Sequence, residues 1–407
     1  MQIYHKLLPL ATGYFGVSSA LYDFGGLVVI YGPAGGAWHI NIEDEPRWYR
    51  GPATVMGAGL LEMDVILGND DKFIDNIAQV ATGLDRQFVC LSGTPISEII
   101  GTDLKGFART LERRTSVPVF MVPTAGSEPY PDGASKAFMA LADTFMAPDA
   151  PKRPGSVNLL GAIHLSTGRE DHLSPLFRAL DESGLEVVGS LSTPPPDQDD
   201  PPKNPLDGVR DASGAEANLV VSTSGLALAE RMHAEHGIPY VLGMPVGKRA
   251  MDEALALLKG DAPTNGDGPI RRAPHKHALV IGEPVLSHGI RQCLTRDFGI
   301  PRADVVSVVP SKAMFEPSQG VSGARLGLLA EQGPHDLDTD SEPVIAALMN
   351  DPGVDCVVAD PCYQALLERD AAFIPMPHTA MSARIHWDLP HDYVGEQGYD
   401  YLAQRLL

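Results

Sequence analysis

Three times along its 407 residues the chain runs through one alternation, a short and almost wholly apolar run followed by a helix-length amphipathic stretch. Strands buried on both faces read as unbroken apolar runs, and the helices between them are what joins parallel strands. The first block holds "GLVVIY", "DVILG", "QFVCLSG" and "VPVFMVP", interleaved with "DDKFIDNIAQVATG" and "SEIIGTDLKGFARTLERR". The second holds "VNLLGAIHL", "LEVVGSL", "ANLVVSTSG" and "IPYVLGMP", with helices in "DHLSPLFRALDESG" and "LALAERMHAEHG". The third runs from "KHALVIGEP", with a helix in "SHGIRQCLTRDFG", through "ADVVSVVP", "EPVIAALMNDPG" and "VDCVVADP" to "AAFIPMP". Seams rich in proline, glycine and charge, "MAPDAPKRPG" and "GDAPTNGDGPIRRAPHK", separate the blocks. The pattern predicts an α/β protein of three Rossmann-like domains, each a mainly parallel sheet flanked by helices, at 1–150, 151–262 and 263–407. In open sheets of this kind ligands collect outside the carboxyl ends of the strands, so the loops after the apolar runs are where chemistry is expected.

Composition narrows the function classes. With 44% hydrophobic residues the chain can bury a large core, and its formal charge of −21 argues against a nucleic-acid binder, which needs a basic face. The start "MQIYHKLLPLATGYFG" has no basic segment leading into a long apolar one, and no apolar run approaches about 18 residues. A cytoplasmic protein that spans no membrane is the expectation. Four cysteines, at 90, 293, 356 and 362, are too few and too scattered for a disulfide framework or a paired zinc motif.

Common nucleotide and nucleophile motifs are absent. There is no G-x-x-x-x-G-K-[ST], no G-x-G-x-x-G after a strand and no G-x-S-x-G. "HAEH" puts His233 and His236 three residues apart on a helix without an acidic partner, which reads as a surface pair. Ser222 and Ser224 in "STSG" follow an apolar strand and are either exposed hydroxyls or caps of the next helix.

The loop "VVIYGPAGGAWH" leaves a strand through Gly32, Gly35 and Gly36, which lets backbone N–H groups come close to a bound group. Two further stretches accompany it: "EMDVILGNDDKFIDNI", read as a strand with Asp64 at its start and Gly68 at its end, and "GTPISEIIGTDLKGFA", with Glu98, Gly101 and Asp103. In order and spacing these three resemble the successive signatures of the nitrogenase component 1 family, and "IHWDLPHDYVGEQGYDYLAQRL" resembles its closing segment. The resemblance implies the three-domain α/β fold, pairing with a related subunit, and electrons supplied by a separate iron–sulfur ATPase reductase. It places Gly32, Gly35, Gly36, Thr94 and Ser222 at cofactor-binding positions; Cys362 joins them as a candidate from its loop after a strand, and His39 and His386 are the best remaining candidate catalytic imidazoles, able to ligate a metal or move a proton near neutral pH. The acidic and aromatic stretch "HINIEDEPRWYRG" beginning at His39 sits where the family builds its subunit interface.

Departures from the family pattern bear on the cofactor. Where the family carries cysteines, this chain has Gly36 in the first loop, Pro95 before "EIIG", Ser222 after a middle-domain strand, and no cysteine near Leu10. Glycine and proline offer iron no side-chain donor, and serine is a poor substitute for thiolate. An iron–sulfur cluster then requires non-standard or partner-supplied ligands. Cys90 and Cys356 lie in strands and Cys293 on an amphipathic helix, all reading as core, which leaves Cys362 as the cysteine on a ligand-facing loop. Two other readings stay open: a scaffold or assembly protein of the same fold without a redox centre, and a small-molecule or tetrapyrrole-binding protein.

Overall fold

The computed structural model describes residues 4–35, 54–84, 86–192, 205–263, 268–316, 325–329, 331–389 and 392–407. They form two compact units. The first comprises Leu10–Met146 with Asp200–Arg210, and the second Met1–Pro9, Ala147–Asp199 and Asp211–Leu407.

In the first unit, β1 (Leu27–Ile30), β2 (Val55–Gly57), β3 (Val89–Ser92) and β4 (Val119–Val122) make a parallel sheet in the order β2-β1-β3-β4. Val29 lies opposite both Met56 and Leu91. Because side chains alternate across a strand, Leu27, Val29, Tyr31, Val89 and Leu91 share one face. That face packs on Phe73 and Ile77 of the helix Asp70–Gly83 and on Phe107 and Leu111 of the helix Leu104–Thr115. Tyr31 anchors the layer with edge-on contacts to Phe73 (5.6 Å) and Phe107 (5.5 Å). Near the sheet, the helices Gly13–Leu21 and Tyr130–Phe145 cross through paired glycines, and a Cβ on Gly16 would lie 1.9 Å from the Tyr130 carbonyl oxygen.

One expectation fails here. "DVILG" is not a strand: Glu62–Leu67 is a helix, closed by Gly68 at φ 66°, and the strand beside β1 is the three-residue β2. A short apolar run has no period that separates strand from helix, and this one is not core. Asp64 turns inward and accepts from Asn69 Nδ2 (3.0 Å) and Lys72 Nζ (3.0 Å), while Leu61, Met63, Ile66 and Leu67 face outward.

The second unit carries β5 (Ser156–Ala162), β6 (Glu186–Ser192), β7 (Ala217–Val220), β8 (Tyr240–Leu242), β9 (His277–Gly282), β10 (Arg302–Ser307), β11 (Arg325–Leu328), β12 (Leu337–Asp338), β13 (Cys356–Ala359) and β14 (Ala372–Pro375). Two parallel sheets result, β11-β8-β7-β5-β6 and β12-β10-β9-β13-β14. The chain is thus an α/β protein with three parallel sheets flanked by helices. β11 arises within the stretch read as the third block yet adds the edge strand of the middle sheet beside β8. Its sequence, "RLGL", is too short and too mixed to announce a strand.

Glu342, first residue of the helix Glu342–Met349, ties residues 5–7 to this unit by accepting from the backbone N–H groups of His5, Lys6 and Leu7 at 2.9 to 3.1 Å. Burial acts to raise its carboxyl, and the three N–H donors outweigh it, so its pKa lies below the ordinary 4.5. A depressed carboxylate contributes stability above the unfolded value and loses it as pH falls through the folded one. Amide protection at residues 5–7, read by hydrogen exchange, should therefore collapse in acid below about pH 4.5 and be weak at every pH in Glu342→Gln. Equal protection in the two proteins would show that the carboxylate does not hold this segment.

Candidate functional site

Each sheet reverses its strand order once, between β1 and β3, between β5 and β7, and between β9 and β13. At such switch points the connections leave on opposite faces and open a crevice outside the carboxyl ends of the strands. Every described cofactor-position residue except Gly35 lies immediately beyond a strand that borders one.

In the first unit, Gly32 follows β1 and Thr94 follows β3, and the two are neighbours: a Cβ on Gly32 would approach Thr94 Cγ2 to 3.1 Å. The Thr94 side chain has a structural post. Its hydroxyl donates to the Tyr31 carbonyl (2.8 Å), and with Ser97 it forms a reciprocal cap on the helix Pro95–Ile99. Gly35 is exposed, with open space where a Cβ would stand. Gly36 and His39 lie outside the described residues.

In the second unit, Ser222 follows β7 and is fully buried. Its hydroxyl donates to the Gly161 carbonyl and lies 2.5 Å from Ser224 Oγ, so it neither faces solvent nor caps a helix. Gly161 is held at φ 84°, where a Cβ would meet Ser222 Oγ at 2.7 Å. From the opposing sheet, Glu283 reaches across just after β9. It accepts from Thr223 N (3.0 Å), from Thr223 Oγ1 (3.1 Å) and, as N-cap of the helix Pro284–Arg296, from Leu286 N (2.9 Å). Burial pushes its carboxyl up to about 7 against those donors.

The chemistry-bearing cluster is at the end of β13. Asp360 is completely buried: one oxygen accepts from Cys362 N (2.8 Å), the other from His378 N (2.7 Å) and Ser382 Oγ (2.7 Å). Cys362 Sγ lies 3.9 Å from His386 Nε2, so two residues 24 apart in sequence, each singled out from it, meet in space. The return runs through Ala383, which takes φ 48°, an unusual posture for a residue with a Cβ. Burial first, then the Asp360 charge and its hydrogen bond, push the Cys362 thiol up to about 12. Beside His386, Trp387 stacks on His164 (5.9 Å between centroids, 11° between planes), and the Arg169 guanidinium lies 5.8 Å from the same indole. His164 begins the helix that follows β5, the neighbour of the strand that Ser222 follows.

Sequence reasoning missed Asp360 and Glu283. Both are acidic residues between a strand and a proline, "DP" and "EP", which is the signal of an N-cap before a helix start.

Comparison with known proteins adds the lineage. Residues 12–260 match the family described as nitrogenase component 1 type oxidoreductase. The nitrogenase molybdenum-iron protein beta chain of Bradyrhizobium diazoefficiens is 25% identical over 312 residues, covering 68% of this chain and 60% of the relative. The nitrogenase iron-molybdenum cofactor biosynthesis protein NifE of the same organism is 26% identical over 210 residues, covering 50% of this chain and 35% of the relative. The matches thus span less than two thirds of either relative. Among solved structures, nitrogenase Cp1 at pH 6.5 superposes with a TM-score of 0.72 over 100% of this chain and 93% of that chain at 14% identity, a likeness of fold.

Proposed function

Because the chain belongs to the nitrogenase component 1 type oxidoreductase family, we propose that it is one subunit of an oxidoreductase complex, pairing with a related subunit and receiving electrons from a separate ATP-dependent iron–sulfur protein. The observation that carries the pairing is an apolar surface on the first unit. Leu61 (62% exposed), Met63 and Ile66 (66%) on one helix segment, and Ile99 (80%) on the helix Pro95–Ile99, stand in solvent. Both segments follow strands flanking β1 in a parallel sheet and so lie at the same end of it. Large apolar side chains gathered at one end of a sheet are the mark of a protein interface.

An iron–sulfur cluster does not fit the side chains that stand at the family's cysteine positions. Pro95 has no thiol, the Ser222 hydroxyl is engaged internally, and burial keeps the thiols of Cys90, Cys293 and Cys356 protonated inside the core. We assign no cluster to these residues. That same absence favours a second reading, a scaffold or assembly subunit of this fold without a redox centre, in keeping with the cofactor-biosynthesis relative.

Light scattering on the eluting protein, alone and mixed with a second member of the same family from the same organism, tests the pairing. The expected result is a dimer or larger assembly that Ile66→Asp with Ile99→Asp converts to monomer. A wild-type chain that stays monomeric in both preparations sinks the proposal. Stimulation of the reductase's ATP hydrolysis by the assembled complex then separates the electron-receiving subunit from the scaffold.

A further inference from the structure

We propose that Asp360, Cys362 and His386 form a binding site for a single borderline divalent metal ion, Zn2+ in preference to others, with three protein ligands and a fourth position left to water or an incoming ligand. The inference rests on these three side chains and is independent of the pairing and electron-transfer reading. One carboxylate oxygen, one sulfur and one imidazole nitrogen lie within 4.8 Å of one another, the largest such convergence of ligand types among the described residues. A tetrahedral ion with Zn–S of about 2.3 Å and Zn–N of about 2.0 Å separates its sulfur and nitrogen donors by about 3.5 Å. The observed 3.9 Å between Cys362 Sγ and His386 Nε2 is within a few tenths of an ångström of that spacing.

The donor set selects the ion. Mg2+ and Ca2+ require shells of oxygen, whereas one thiolate, one imidazole and one carboxylate suit Zn2+ and its neighbour Co2+. Three protein ligands with one exchangeable position is the arrangement of catalytic rather than structural zinc. The surroundings orient the ligands as an outer shell does. His378 N and Ser382 Oγ occupy one oxygen of Asp360, and Cys362 N takes one lone pair of the other, leaving that oxygen a lone pair for an ion. Ligation exchanges the thiol proton for the metal: the S–H bond breaks, a sulfur–metal bond forms with the same electron pair, and the proton leaves to solvent. Binding therefore releases a proton, and affinity rises with pH.

The test uses the full chain, reduced and stripped of metal by chelation, then titrated with Co2+. The expected result is one Co2+ per chain, with the intense visible bands of a four-coordinate ion and a near-ultraviolet sulfur-to-cobalt charge-transfer band, all erased by one equivalent of Zn2+. Cys362→Ser should lose the charge-transfer band, and His386→Ala should weaken binding by about tenfold or more. His386 is only partly buried, so its variant carries the test if Cys362→Ser fails to fold. A charge-transfer band that persists in Cys362→Ser, unchanged affinity in a folded His386→Ala, or a wild-type chain that takes up no stoichiometric Co2+ overturns the site. None of these outcomes depends on whether the chain pairs.

Discussion

Gly133→Ala should destabilise the protein by about 3 kcal/mol or more. A Cβ at Gly133 would stand 1.9 Å from the Gly13 carbonyl oxygen, 2.5 Å from its carbon and 2.7 Å from its Cα. All three obstacles are backbone, so no side chain can swing aside. Gly16 meets the facing helix in the same way, its added Cβ lying 1.9 Å from the Tyr130 carbonyl oxygen and 2.9 Å from Ala134 N. The two helices therefore touch backbone to backbone at both ends of the crossing and could admit a methyl group only by separating. That would expose Tyr130, Ala134, Ala137 and Val17, which are completely buried. Gly83→Ala is the matched control: Gly83 ends a helix, has open space around it and needs no left-handed backbone, so alanine should be neutral or stabilising by up to about 1 kcal/mol. Urea unfolding of the two variants measures the contrast. A Gly133→Ala protein within about 0.5 kcal/mol of the parent would mean that the crossing relaxes freely and does not secure the first unit.

How much of this architecture can be read from the residues depends on which face each apolar run buries. β1, β3, β5, β9 and β13 are covered on both sides and announce themselves as "LVVI", "VCLS", "SVNLLGA", "HALVIG" and "CVVA". The edge strands β2, β11 and β12 run two to four residues, carry glycine, arginine or aspartate, and exist because a neighbouring strand offers its unpaired edge. "DVIL" has the composition of a buried strand and the fate of an exposed helix, because its apolar side chains face outward rather than into a core. At the candidate site, Cys362 and His386 could each be chosen from their position after a strand or near the closing segment. Their meeting could not, since it depends on a turn through Ala383 at positive φ, a posture alanine does not advertise. Thr94 and Ser222 show the converse: a position matched to the family places the residue at a switch point, while the hydrogen bonds of its hydroxyl are visible only in three dimensions.

The stability of the second unit should fall as pH rises from about 4.5 to about 7, and Glu283→Gln should abolish that slope. Glu283 is buried, and its folded pKa of about 7 stands above the ordinary 4.5. Between those values the folded state binds more protons than the unfolded state, so unfolding becomes easier with each step up in pH. A shift of that size corresponds to about 3 kcal/mol across the window. Glutamine isolates the charge but not the geometry. A protonated glutamic acid still turns a lone pair of each oxygen toward its donors, Thr223 on one side and Leu286 N on the other. Glutamine must present its NH2 to one of them, leaving an N–H without an acceptor at a cost of about 1 to 3 kcal/mol. The variant should therefore be the weaker protein at pH 5, and the two denaturation curves should converge as the pH approaches 8. Since Thr223 follows β7 and Glu283 follows β9, this carboxyl joins the crevice ends of the two sheets. Parallel stability profiles for parent and variant would show that Glu283 keeps one protonation state throughout, and the link between the sheets would then be insensitive to pH.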